Sequence, residues 1–328
     1  MSELEFRTAI RDALDEEIAR DPAVVFFGED VAAAGGVFMT TPGLHEKHTQ
    51  DRVFDTPISE LAIAGAAFGA AVTGLRPVIE IMFGDFMALP MDSLVNQSAK
   101  FWYVSNEQAS VPLVVRSAVG AGGRFGAMHS QIHGTWFQGI PGIKVVGPSN
   151  PADAKGLLKS AIRDDNPVLF LEHKRLYSMK GPAPTEETVP LGKAAVAREG
   201  TDITVVSALR GVRDALEAAE ALTGDGIDAE VVDIRSLRPL DHETVLESVA
   251  KTNRVMLVEE GPRVGGWAAN LLGIITAEGL HDLDDAWILA TEDTPAPYSP
   301  TLEDRWLPAA TEIAAAVRER LGAAARAG

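Results

Sequence analysis

The sequence predicts an α/β protein of two domains, each a mostly parallel sheet flanked by helices. Strand-like and helix-like stretches alternate along the whole length, the pattern lapses once past the middle, and 328 residues suit two domains at roughly 150 residues each. Hydrophobic residues at 46% and charged residues at 23% are ordinary globular usage, so a disordered or fibrous chain does not fit. Lys and Arg number 29 against 47 Asp and Glu, a net charge of −18, which argues against a nucleic-acid backbone or an anionic membrane as main partner. The absence of cysteine excludes disulfides, thiolate metal sites and cysteine nucleophiles, and it suits a cytoplasmic setting.

The N-terminal residues mix charges where a signal peptide would need a basic start and an apolar stretch, and they read as the start of a first helix. That helix, Leu4–Arg20, has its apolar positions Phe6, Ile10, Leu14 and Ile18 on one face. Strands are predicted at Val24–Phe27, Arg52–Phe54, Val78–Met82, Val111–Arg116, Ile143–Val146 and Val168–Leu171, with a clear amphipathic helix over Pro151–Asp164. Leu61–Val72 is mostly Ala and Gly, too short for the roughly 20 apolar residues of a membrane span, and reads as a buried helix. The run Ser178–Glu187, rich in Pro and charge, divides a first domain, 1–187, from a second, 188–328. In the second domain the strands are Ile203–Val206, Ala229–Ile234, Val255–Glu259 and Trp287–Leu289. Helices are predicted at Val212–Leu222, Asp241–Ala250, after Gly265, and at Ala309–Ala325.

The most informative segment is Asp51–Glu60, in which a strand ends, Pro57 turns the chain, and Glu60 enters the first turn of the small-residue helix. An acidic residue there can simply complement the helix dipole, an effect of about 0.3 to 1 kcal/mol. Ahead of a helix that is apolar nearly all round, however, the carboxylate is expected to be buried and to need a partner. His129 follows a glycine-rich stretch, Gly120–Gly126, where backbone can approach a ligand; it suits proton transfer, and equally a satisfied structural histidine.

Several strings occur in order: Gly28-Glu29-Asp30-Val31, Arg52 to Glu60, His129-Ser130-Gln131, Pro141 to Val146, Asp153 to Leu158, Glu172-His173-Lys174, Leu237 to Asp241 and Pro297-Tyr298. Together, over nearly the whole chain, the sequence resembles the beta subunit of the thiamine diphosphate-dependent decarboxylating component of 2-oxo acid dehydrogenase complexes. The resemblance implies a transketolase-like pyrimidine-binding domain and a transketolase C-terminal-like domain that mainly pairs subunits. It implies that Glu60 bonds the aminopyrimidine ring and relays protons, that Ile58, Met82 and Phe86 contact the pyrimidine, and that His129 faces the reactive carbon during acyl transfer to a lipoyl thiol. Leu113, Ala161, Ile162, Asp164 and Asn166 match positions that bind potassium in relatives. Read from sequence alone, Asp164-Asp165-Asn166-Pro167 is a turn.

A diphosphate needs backbone donors or cations, and a divalent ion needs oxygen ligands in fixed geometry. Gly224-Asp225-Gly226 imitates the start of the motif that supplies these in thiamine diphosphate enzymes, but only the lone Asn253 follows at a comparable distance, and the segment reads as a helix stop. The spacing of His45-Glu46-Lys47-His48 is not that of a zinc motif. The resemblance therefore implies an alpha subunit that holds Mg²⁺ and the diphosphate, an assembly of two alpha and two beta chains, and a lipoyl-bearing acyltransferase as acyl acceptor. Met82 resembles pyruvate-type members and slightly favours pyruvate, with acetoin cleavage close behind. A transketolase-like two-carbon transferase and a non-catalytic interaction subunit are the rival readings. Arg124 could meet a substrate carboxylate or lie solvated in a loop. His133-Gly134 stands where relatives often carry other residues.

Overall fold

The computed structural model describes residues 3–327. The chain forms two units. The first comprises the chain up to Gly123, Met128–Leu191 and Leu237–Pro239, and the second comprises Arg124–Ala127, Gly192–Ser236 and the chain from Leu240 onward.

The first unit is built on a seven-stranded sheet. Its spatial order is Ser236–Arg238, Lys144–Val146, Val168–His173, Val114–Val119, Arg76–Ile81, Val24–Gly28, Val53–Asp55. The registers from Lys144–Val146 to Val53–Asp55 are parallel throughout. Near-continuous apolar runs such as Val24–Phe27 suit strands covered on both faces. The helix Phe6–Arg20 and the helix Pro151–Arg163 cover one face and join its core through Phe6, Ile10, Leu14, Ala154, Leu157, Leu158 and Ala161. Asn150 caps the second of these, its side chain accepting from the Asp153 N–H at 2.9 Å, with Pro151 in the first turn.

Four elements depart from the sequence expectation. The first helix starts at Phe6 rather than Leu4, because Glu3–Glu5 pairs as an antiparallel strand with Lys180–Pro182, inside the run read as a linker. The strand expected at Val111–Arg116 is shifted to Val114–Val119, beyond Pro112, which lacks the N–H a ladder needs. Ser236–Arg238 adds an edge strand to the first sheet although it lies far along the second half of the chain. The helix Glu60–Val72 is buried on only one side, through Glu60, Ile63, Ala64, Ala67 and Ala71, whereas Leu61, Ala62 and Ala66 are exposed.

The second unit has a five-stranded sheet in the order Asp285–Thr291, Arg254–Pro262, Ile203–Ser207, Ala229–Asp233, Ala195–Arg198. All neighbours are parallel except the edge strand Ala195–Arg198, which runs antiparallel. Its core combines Val205, Val231 and Met256 with Val212, Ala215 and Ala219 of the helix Arg210–Thr223 and with Ile313 and Val317 of the last helix.

Candidate active site

Parallel register places the ends of neighbouring strands together. Gly28 pairs with Asp55 and Glu80, so Glu29, the segment Thr56–Glu60 and the segment Met82–Phe86 all leave the sheet at its carboxyl edge. Here the chain steps outward from Val24–Gly28 to Val53–Asp55, then back across to Arg76–Ile81. In open α/β sheets, ligands bind outside the carboxyl ends of strands at such a reversal.

Glu60 opens its helix with only 9% of its surface exposed, and no donor among the described residues bonds its carboxylate. Glu29 stands beside it electrostatically. Burial, with the Glu60 charge and that of Asp30 added, pushes the Glu29 carboxyl above its ordinary value, against an opposing N–H bond from Ser59. One Glu29 oxygen and the Thr56 hydroxyl are buried without partners among the described residues. The loop that carries Glu29 is held by Asp55, whose oxygens accept from the N–H groups of Ala32 at 2.7 Å and Ala33 at 3.2 Å. Ile58 projects from the turn before Glu60 and is 84% exposed.

On the same edge, Phe86 lies in the short 3₁₀ helix Gly84–Ala88. Its ring meets that of His129 at 5.4 Å, while Phe83 lies 4.7 Å from His129 and 5.7 Å from Phe86. Met82 immediately precedes this group and is half-buried. Lys174 donates to the His129 carbonyl and sits 5.3 Å over the Phe83 ring, fixing the backbone of the histidine loop. Gly120, at φ +89°, lets that loop pass His173, whose ring would lie 2.1 Å from any Cβ there. The structure therefore joins Phe86 to His129 and Glu29 to Glu60, all on one edge of one sheet.

Beneath the edge lies a buried ion cluster. Arg116, 1% exposed, holds both oxygens of Glu172 at 2.7 and 2.9 Å and Glu80 at 2.8 Å, and the Tyr177 hydroxyl donates to Glu172 at 3.0 Å. Burial pushes Glu80 up although the Arg116 charge draws it down.

The candidate cation residues gather at the opposite, amino edge. Leu113 and Asn166 precede the strands Val114–Val119 and Val168–His173, and Ala161, Ile162 and Asp164 end the helix Pro151–Arg163. Arg76 donates to the carbonyls of Ile162 at 2.9 Å and Asp164 at 2.7 Å, and the Asp164 carboxylate pairs with Lys144 and accepts from Asn166. Arg124 is no free loop cation: it pairs with Glu303 at 2.6 Å and Asp304 at 2.7 Å. Gly224-Asp225-Gly226 closes the helix Arg210–Thr223, with Asp225 on Arg318, and Asn253 caps the helix His242–Thr252 in a left-handed conformation. Among the described residues no three His, Asp or Glu side chains are grouped as a metal ion would require.

Sequence reading passed over Glu29 as a member of the site. The available signal was an acidic pair, Glu29-Asp30, directly after a buried strand; what was missing was the register that sets this strand beside Val53–Asp55.

Comparison with known proteins agrees with this architecture. Residues 2–180 match the transketolase pyrimidine-binding domain family and residues 192–313 the transketolase C-terminal domain family. The chain is 44% identical to the acetoin:2,6-dichlorophenolindophenol oxidoreductase subunit beta of Cupriavidus necator, with 97% of each chain covered. It is 46% identical to the 2-oxoisovalerate dehydrogenase subunit beta of Bacillus subtilis, covering 97% of this chain and 99% of that one. It is 43% identical to the pyruvate dehydrogenase E1 component subunit beta of Rickettsia felis, covering 95% and 97%. A solved split-gene transketolase, described as an inactive beta4 tetramer, superposes with a TM-score of 0.80 over 96% of this chain and 97% of its own at 24% identity, a likeness of fold. The chain belongs to the transketolase-like family that contains the beta subunits of the pyruvate, branched-chain 2-oxo acid and acetoin dehydrogenases.

Proposed function

We propose that this chain is the beta subunit of a thiamine diphosphate-dependent 2-oxo acid dehydrogenase, with pyruvate the favoured substrate, which decarboxylates the 2-oxo acid and passes the acyl group to a lipoyl-bearing acyltransferase. The observation that carries this reading is Glu60, an acceptor at the carboxyl edge of the sheet that no described residue satisfies, set beside the raised carboxyl of Glu29. Such a pair fits a ligand that brings its own N–H donor. When bound, thiamine diphosphate supplies the nucleophilic carbon and the electron sink for decarboxylation.

The chain's own residues supply the rest. Glu60 hydrogen-bonds the pyrimidine ring nitrogen and exchanges a proton with it, the kind of step worth about 10² to 10⁴ in rate. Burial and the Glu60 charge push the Glu29 carboxyl above its ordinary value, which favours the neutral form of Glu29 beside Glu60. Ile58, Met82 and Phe86 wall the ring with apolar surface and exclude water. His129, held by Phe83 and Phe86, exchanges a proton during acyl transfer.

Mg²⁺ and the diphosphate fall to an alpha subunit in this reading, in an assembly of two alpha and two beta chains paired mainly through the second domain. The exposed apolar residues Ile58, Leu61 and Ala66 beside Glu60 suit cover by such a partner. At the amino edge, the Leu113, Ala161, Ile162, Asp164 and Asn166 set offers carbonyl and carboxylate oxygens of the kind a weakly hydrated ion takes, with Arg76 and Lys144 already engaging Ile162 and Asp164. We include potassium there as a structural ion and derive no step through it. A cytoplasmic setting belongs to the same proposal. No described helix is long and apolar enough to cross a membrane.

A substrate panel with the reconstituted alpha and beta chains and an artificial electron acceptor tests the reading. Pyruvate is expected to give the highest kcat/KM, ahead of branched-chain 2-oxo acids. Acetoin as the best substrate, the second reading favoured by the Cupriavidus relative, would overturn the substrate assignment. Turnover of ketose phosphates alone would overturn the reaction class.

A further inference from the structure

His133 lies four residues after His129 and is 3% exposed. Its ring bonds the Gly84 carbonyl, and Nδ1 is buried with no partner among the described residues, which leaves Nε2 as the donor to Gly84. Burial pushes the imidazole down from its ordinary value, partly offset by Asp85 and by the bond to Gly84, which favours the neutral ring. Trp136, 4.0 Å away and edge-on, holds the ring in place. Gly84 opens the 3₁₀ turn that carries Phe86, and the next residue, Asp85, accepts from the Gln131 side-chain amide at 3.0 Å. The Gln131 backbone N–H also reaches Asp85, at 3.4 Å, so the Gly84–Ala88 turn is tied to the segment just after His129 through both Gln131 and His133.

We propose that His133 is a positioning residue for His129: with the Asp85 and Gln131 pair, it clamps the turn carrying Phe86 to the histidine loop and so fixes the imidazole between Phe83 and Phe86. The clamp has a functional target, because those two rings are the packing that aims His129. Its chemistry is that of a neutral donor aimed at a carbonyl, which a phenyl ring of similar size cannot supply and a carboxamide can. This inference rests on the proposed role of His129 in acyl transfer, and it concerns that step rather than decarboxylation.

The test compares His133→Phe and His133→Gln in the alpha and beta holoenzyme, each assayed with pyruvate and an artificial electron acceptor and with pyruvate and a free lipoyl domain. For His133→Phe, the lipoyl-dependent kcat is expected to fall about ten-fold more than the acceptor-dependent kcat, since small misplacements of a reacting group cost rate steeply. His133→Gln is expected to recover most of that loss, and KM for pyruvate to stay within about two-fold in both. Equal losses in the two assays that track thermal stability would overturn the clamp, as would full lipoyl-dependent activity in His133→Phe. A wild-type holoenzyme inactive on every 2-oxo acid would instead overturn the proposed function, a separate outcome.

Discussion

Glu60→Gln is expected to lower turnover of the reconstituted enzyme by about 10² to 10⁴, or about 3 to 5 kcal/mol of transition-state stabilisation, while leaving the fold intact. The magnitude follows from role. Glu60 starts its helix with no bond to a neighbouring side chain among the described residues, so replacing its carboxylate disconnects no packing or salt bridge. The amide can still donate a hydrogen bond to the ring nitrogen but cannot give and take back a proton. Circular dichroism and thermal midpoint should match wild type, and steady-state rates should not. Wild-type turnover in Glu60→Gln with saturating cofactor would remove this residue from the chemistry.

Arg116→Met is expected to have the largest effect on stability, about 3 to 5 kcal/mol, because it leaves Glu80 and Glu172 buried without their counter-charge. The deficit should depend on pH with a definite sign. Burial already raises Glu80, and removing Arg116 removes the attraction that offsets it, so its folded-state value rises further. A carboxyl raised in the folded state contributes stability that is full below its unfolded value and lost as pH rises through its folded value. The difference between wild type and Arg116→Met should therefore be smallest near pH 5 and larger near pH 8, as read by urea or thermal unfolding. A deficit independent of pH would show that packing, not charge, dominates. Replacing all three charged residues together by apolar side chains of similar volume should cost far less than Arg116→Met alone.

Much of this site is legible because it is written in local sequence. Glu60 is conspicuous as the acid that follows Thr56-Pro57-Ile58-Ser59 and precedes a run of Ala and Gly, and the alternation of strand and helix yields both parallel sheets. What escapes the sequence is long-range. The pairing of Glu3–Glu5 with Lys180–Pro182 joins segments that carry no strand signal of their own, being charged or broken by Gly and Pro. Ser236–Arg238 reads as part of the second domain until the sheet order places it in the first. Glu29 and the His133 clamp depend on which strand ends adjoin, and hydrophobic periodicity carries no such information. The helix Glu60–Val72 misleads in the other direction: small apolar residues on every face suggest burial all round, yet one side is open and offers Leu61, Ala62 and Ala66 as a surface of close approach.

The central claim is that this chain carries the proton-relay half of a cofactor site whose metal- and diphosphate-binding half lies on another chain. The most direct measurement is pyruvate turnover with thiamine diphosphate and Mg²⁺, using the purified chain alone and then the chain titrated with an alpha partner. No turnover alone, with activity rising to a plateau at one alpha per beta, is the predicted result. Sustained turnover by this chain without a partner would contradict it.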